Sequence, residues 1–311
     1  MSATAPSDRA AELAGLRVVP DDTARRHPDD SVVVGGSPLR LLRLHPAGLR
    51  LVDRLWEGEP VPPGPAATAL TRRLLDAGIV HPDWDASPAL PAPFGPADVT
   101  VVIPVRGELA PRLLSQVGPV AEVVVVDDAS PCPVTAPDRT SPGVPVRVVR
   151  HDSQRGPGAA RTTGLEHVTT PLVAYLDADC EPEPEWLGPL LPHFADTAVA
   201  MVAPRITAAA PVGRGLVARY EAARSALDMG ARPARVRART RVGHVPSAAL
   251  VARAAVLREA GGFDPTMAVG EDVDLVWRLD RDGSTVRYEP RSQVAHHHRT
   301  ALWPWARRRF D

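Results

Sequence analysis

The stretch VAYLDADCEPEPEW, residues 173–186, decides how the rest of the chain is read. An apolar run of strand length ends in two aspartates one residue apart, and glutamates and prolines follow at once. Along an extended backbone residues i and i+2 point the same way. Asp177 and Asp179 therefore reach one spot just past the strand. Two carboxylates there repel one another unless a cation lies between them, and an all-oxygen pair suits Mg2+ or Mn2+. Taken alone, the pair reads more readily as N-capping or solvated turn aspartates.

The neighbouring segments extend the pattern. VTVVIPVR (99–106), EVVVVDDAS (122–130), VRVVRH (146–151) and VAMVAPRI (199–206) are further strand-length runs rich in valine. Valine runs without polar alternation suit strands covered on both faces. Helical stretches between them predict an open, mainly parallel α/β sheet with helices on both faces, whose sites lie beyond the carboxyl ends of the strands. Asp127 and Asp128 close one such strand, where a carboxylate can accept from a nucleobase N–H or a ribose hydroxyl. RGPGAARTTG (155–164) reads as a loop opening a helix, a place that favours anions, with Arg161 as a fork donor for a diphosphate. Glu271 and Asp272 open a later helix whose apolar face is expected to be Val273, Val276, Trp277 and Leu279. Such carboxylates are common caps. Beside a sugar-nucleotide pocket, Asp272 is a candidate general base for an acceptor hydroxyl. In RSQVAHHHRT (291–300), an extended chain puts His296 and His298 on one face and His297 on the other. One of the first two is placed to complete a metal shell.

Upstream, residues 1–30 are polar and proline-bearing and are expected to be a flexible N-terminus. SVVVGGSPLRLLRL (31–44) reads as two strands around a Gly-Gly turn. Two amphipathic helices follow, closed by Gly58 and Gly78, and then a short strand. Hairpin, helix, helix and strand make a small winged-helix-like domain over 31–82, followed by a proline-rich linker over 83–97.

The totals exclude several classes. A length of 311 residues with 44% hydrophobic content supports one large domain or two ordinary ones. A net charge of −1 gives no general pull toward nucleic acid or anionic lipid. Cys132 and Cys180 have no metal-type spacing, and a cytoplasmic location without a disulfide framework is expected. No apolar run approaches the roughly 20 residues of a bilayer span. The end TALWPWARRRF offers at most a peripheral membrane contact, and otherwise reads as an amphipathic helix packing on its own domain.

VTVVIPVR, VVVVDDAS, GPGAARTTG, AYLDADCEPEPEWL, GGFDP and GEDVDLVWRL resemble, in order and spacing, the inverting family 2 glycosyltransferases of the GT-A fold. The resemblance covers about 98–300. It implies a nucleotide-diphosphate sugar donor and a divalent metal, Mn2+ or Mg2+. It further implies nucleotide-sugar contacts at Pro104, Arg106, Asp127, Asp128, Arg161 and Asp177. Metal ligation falls to Asp177 and Asp179 with His296 first and His298 second, and catalysis to Asp272 assisted by Glu271. Thr162 follows Arg161 where the family often has asparagine. GGSPLRLLRLHPAGLRLVDRL, YEAARSALDMGARPARVR, VPSAAL and RYEPRSQVAHHHRT are similar to the subgroup acting in mycofactocin biosynthesis. That similarity implies glucose transfer from UDP-glucose to a peptide-derived redox cofactor. It also implies a longer C-terminal part, so residues 301–311 are expected to begin a truncated helix. The front domain is similar to peptide-binding modules of peptide-maturation enzymes, which implies a precursor peptide as a partner. Two other readings stand beside this one: a family 2 transferase building envelope polysaccharide with another sugar, and a non-catalytic peptide-recruiting scaffold.

Overall fold

The computed structural model describes residues 13–27, 31–90, 92–209, 225–267 and 269–297. The front unit contains β1 (Arg17–Pro20), β2 (Arg25–Arg26), β3 (Val32–Gly35), β4 (Arg40–Arg43), α1 (Pro46–Trp56), α2 (Pro65–Asp76) and β5 (Val80–Asp83). Strands β2, β3 and β4 form one small antiparallel sheet, and β1 pairs antiparallel with β5. The unit therefore begins before residue 31. Leu13, Leu16 and Val18 join its core with Leu49, Val52, Leu55, Leu74 and Leu75. That apolar burial, with the β1–β5 ladder, orders a stretch expected to be loose; residues 1–12 lie outside the described residues. The proline-rich segment after β5 is also packed in part, since Trp84 is buried.

The second unit holds a nine-stranded sheet. Its elements are β6 (Val99–Val105), α3 (Pro111–Gln116), β7 (Glu122–Asp127), β8 (Val146–Arg150), α4 (Pro157–Glu166), β9 (Leu172–Leu176), β10 (Cys180–Pro182) and β11 (Val199–Ala208). They continue with β12 (Ala234–Val236), β13 (Ala249–Arg253), α5 (Ala254–Glu259), α6 (Glu271–Arg281) and β14 (Thr285–His296). The strand order is β10-β14-β11-β13-β9-β6-β7-β8, with β12 also on β14. Strands β6, β7, β8 and β9 are mutually parallel, as are β11 and β14. Strand β13 lies antiparallel between β9 and β11, so those six strands share one direction.

Alternate valines of each strand enter opposite cores, because successive side chains leave a strand on opposite faces. Val101, Ile103, Val123 and Val125 pack with Leu113, Leu114 and Trp186 on one side. Val102, Val124 and Val126 pack with Ala160, Leu165, Leu275 and Val276 on the other. Helix α4 comes so near the sheet that a Cβ on Gly164 would stand 2.2 Å from Cγ1 of Val102. The glycine is what allows that approach. Helix α6 buries Leu275, Val276 and Leu279, an i, i+1, i+4 set. Trp277, expected in that buried face, falls outside the stripe and is 50% exposed.

The front unit docks on the sheet. Arg72 pairs with Asp196, Arg291 with Asp85, and the Arg241 N–H donates to Ser37 Oγ at 2.6 Å. Trp84 meets the His193 ring edge-on at 5.7 Å, and His193 bonds Glu289 of β14 at 3.1 Å. No helix among the described residues is long and apolar enough to cross a membrane.

Candidate functional site

The parallel strands β6, β7 and β9 end on a cavity of about 340 Å3. Pro104 and Arg106 line it from the end of β6, and Asp128 from the end of β7. Gly156 and Pro157 contribute the start of α4, and Asp177, Ala178 and Asp179 the end of β9. The topology thus delivers D-x-D and the second carboxylate of VVVVDDAS to one space. Glu108 and Gln154 also line it. Neither was singled out from the sequence, because an isolated polar residue in a loop carries no periodic signal.

The two aspartates after β7 separate. Asp127 is fully buried; one oxygen accepts the Ser130 N–H at 2.9 Å, and the other accepts the Val134 N–H at 3.1 Å and pairs with Arg150. Burial opposes its ionisation, but bonds from Ser130, Val134 and Arg150 outweigh that and hold the carboxyl at about 2. Its oxygens close the loop after β7, and it is not among the residues that line the cavity. Asp128 is the carboxylate on the cavity wall. His151 Nδ1 approaches it at 2.9 Å, and the N–H groups of Arg155 and Gly156 donate to it at 2.7 and 2.8 Å. Gly156 takes φ +90° there, a left-handed conformation suited to glycine. Burial again opposes ionisation, and the His151 ring with those two N–H groups holds Asp128 below the ordinary carboxylate range. His151 in turn meets Thr163 Oγ1 at 3.0 Å. It is a supporting residue the sequence reading missed, since only the fold brings it beneath Asp128.

Arg161 is also placed differently from expectation. It is 3% exposed, with one nitrogen 2.6 Å from Asp177 and another 3.0 Å from Glu271. The Phe263 ring lies under its guanidinium at 5.5 Å. Burial favours loss of its proton, but Asp177 and Glu271 outweigh that and raise its pKa. It faces carboxylates and not the cavity, because its position on α4 turns inward. Glu271 is buried and accepts from Ser247 Oγ at 3.4 Å as well. Asp272, the next residue, is half-buried at the start of α6, where its carboxylate accepts the Val273 N–H at 2.8 Å. The cavity carboxylate Asp177 and the helix bearing Asp272 are thereby joined through one guanidinium.

Strand β14 brings His296 to Asp179, Nε2 to Oδ1 3.3 Å. His297 turns to the other face and meets Glu181 at 2.8 Å, as alternation along a strand predicts. His298 lies outside the described residues. Among the described residues, no three His, Cys, Asp or Glu side chains are grouped to hold an ion unaided. Asp179 and His296 offer two donors beside a cavity. That arrangement fits a divalent cation whose other positions are filled by phosphate oxygens and water, the habit of Mg2+ and Mn2+.

A profile described as glycosyl transferase family 2 matches residues 100–258. Over 301 residues the chain is 46% identical to the pre-mycofactocin glycosyltransferase of Mycobacterium tuberculosis, in two strains. The alignment covers 95% of this chain and 61% of the relative, so the chain spans about three fifths of that relative's length. The succinoglycan biosynthesis protein ExoO of Rhizobium meliloti is 38% identical over 90 residues, covering 29% of this chain and 26% of that one. Among solved structures, a mannosyltransferase from Pyrobaculum calidifontis in complex with GDP-Man and Mn2+ aligns with a TM-score of 0.49 and 21% identity. That alignment covers 70% of this chain and 64% of that protein.

Proposed function

Since this chain belongs to glycosyl transferase family 2, we propose that it transfers glucose from UDP-glucose, with inversion, to a peptide-derived acceptor of the mycofactocin type. The observation that carries the proposal is the convergence of Asp128, Asp177 and Asp179 from separate strand ends on one cavity with Arg106. The 46% identity across nearly the whole chain to a pre-mycofactocin glycosyltransferase supports the acceptor named.

In this reading Asp128 accepts from the nucleoside. Its carboxylate is fixed by His151 and two backbone N–H groups, so it is oriented before the donor arrives. Arg106, exposed on the cavity wall, attracts the diphosphate. Asp179 and His296, with Asp177 adjacent, would hold Mn2+ or Mg2+, which offsets negative charge on a diphosphate. Asp272 takes the proton from the acceptor hydroxyl as that oxygen attacks the anomeric carbon from the side opposite the departing diphosphate. Glu271 assists it by position: one of its oxygens is held by Arg161, which fixes the start of α6 and hence the place of Asp272. The front unit is assigned the precursor peptide as an added strand.

The direct test is calorimetry and turnover with UDP-glucose and Mn2+ in the absence of acceptor. Binding with slow release of UDP is expected. A protein that binds no UDP-sugar, with or without Mn2+, would be the scaffold reading and not an enzyme.

A further inference from the structure

We propose that Glu181 is a positioning residue for the pair Asp179 and His296: its carboxylate pins β10 and the end of β14 to α3, and so sets where the two donors meet. This rests on the cation reading above and adds to it a residue that touches neither ion nor nucleotide.

The acidic run CEPEPEW follows D-x-D directly, and its glutamates fare differently. Glu183 and Glu185 are exposed, whereas Glu181 is half-buried. One Glu181 oxygen accepts from the Gln116 side-chain amide at 2.9 Å. The other accepts from the Arg112 guanidinium at 2.6 Å and meets His297 Nε2 at 2.8 Å. A lone exposed ion pair would fix little. Here one carboxylate ties three elements at once: α3 supplies Arg112 and Gln116, β10 carries Glu181, and His297 directly follows β14. Bonds to an ionised group are also the stronger kind.

Strand β10 needs such a tie. It is three residues long, stands at the edge of the sheet and pairs, among the described strands, with β14 alone. Its last residue, Pro182, has no N–H to donate. Yet the register of β10 on β14, with Cys180 opposite His296, decides how Asp179 faces His296 across 3.3 Å. Asp179 itself is 46% exposed, so little packing holds it. The His297 N–H donates to the Asp179 carbonyl at 2.9 Å. Glu181 therefore grips by its side chain the residue whose backbone holds Asp179. Helix α3 begins just after Arg106 and Glu108, which line the cavity. The tie thus references the cation pair to the wall that carries Arg106.

The test is calorimetry of UDP binding by the full chain, with Mn2+ and with EDTA, joined to Mn2+ affinity of the UDP complex read from the EPR signal of the free ion. Glu181→Ala is expected to weaken both Mn2+ readouts about tenfold, the effect of a residue behind a metal ligand. UDP binding under EDTA is expected to stay native. Added to His296→Ala, the same change is expected to cost less than about twofold, because no pair is left to set. A purely structural role would lower the EDTA value and add its loss in full beside His296→Ala; either result overturns the proposal. Native Mn2+ affinity in Glu181→Ala overturns it too. If Glu181→Ala does not fold, Arg112→Ala combined with Gln116→Ala removes the α3 arm while leaving the β10–β14 ladder untouched, and the same losses decide. Native UDP binding that ignores Mn2+ removes the cation reading and the role of Glu181 together. A loss in Asp179→Ala without one in Glu181→Ala removes the role of Glu181 alone.

Discussion

Asp177 and Glu271 are joined by a single buried guanidinium: Arg161 stands 2.6 Å from one and 3.0 Å from the other. A buried cation removed from between two carboxylates leaves like charges facing each other in a poor solvent. Arg161→Ala is expected to cost about 3–5 kcal/mol in urea unfolding, the usual effect of removing one partner from a buried pair. A loss under about 1 kcal/mol would mean the contact is no stronger than one at the surface.

Asp272→Asn keeps shape and loses basicity. Affinity for UDP-glucose should stay near native while product formation falls by roughly two to four orders of magnitude. Substantial turnover in this variant would assign the base elsewhere.

The cation proposal divides between two side chains, Asp179 and His296, 3.3 Å apart. Replacing either by alanine is expected to weaken Mn2+-dependent UDP binding by at least about tenfold, with little change in the binding seen under EDTA. Calorimetry with and without the ion separates the two quantities. Equal losses in both conditions would mean that the side chains contact UDP directly.

Asp127 is held at about 2 in the folded protein, against about 3.9 unfolded. A depressed carboxyl stabilises the fold above the unfolded value, and that contribution disappears as pH falls through the folded one. Native protein should therefore exceed Asp127→Asn by about 2 kcal/mol at pH 7. The gap should narrow between about pH 4 and 2, measured by urea titration at each pH. A gap that does not vary with pH would leave loop packing, not ionisation, as the cause.

Gly164→Ala puts a methyl group into Val102, whose Cγ1 would be 2.2 Å away. A cost of about 1–3 kcal/mol is expected in unfolding, and Val102→Ala in the same chain should return part of it.

Much of this architecture is legible in the chain because its signals are local. The valine runs of β6, β7 and β9 announce covered strands, and D-x-D at the end of β9 announces its own convergence. The alternation of His296 and His297 follows from strand geometry alone. What escapes is non-local. Asp127 and Asp128 look alike in sequence, and only the approach of Arg150 to one and His151 to the other separates their roles. Arg161 was expected at a diphosphate because its loop resembles an anion site, whereas its partners come from β9 and α6. Strand β1 hides in a polar N-terminal stretch because its partner β5 lies some sixty residues on. Trp277 was counted as core because a helical pattern does not distinguish a buried stripe from the residue just beside it.

The docking of Trp84 on His193, and of Arg72 on Asp196, has a practical side. Cutting the gene at the proline-rich segment, to express the transferase half alone, would strip a cover from the back of the sheet. His193 and Glu289 would meet water, and Asp196 would lose its cation. Such a product should be poorly soluble however intact its cavity. The first unit is in that sense a wall of the second, and a fragment that keeps that wall reaches back to residue 13 and does not start near 98.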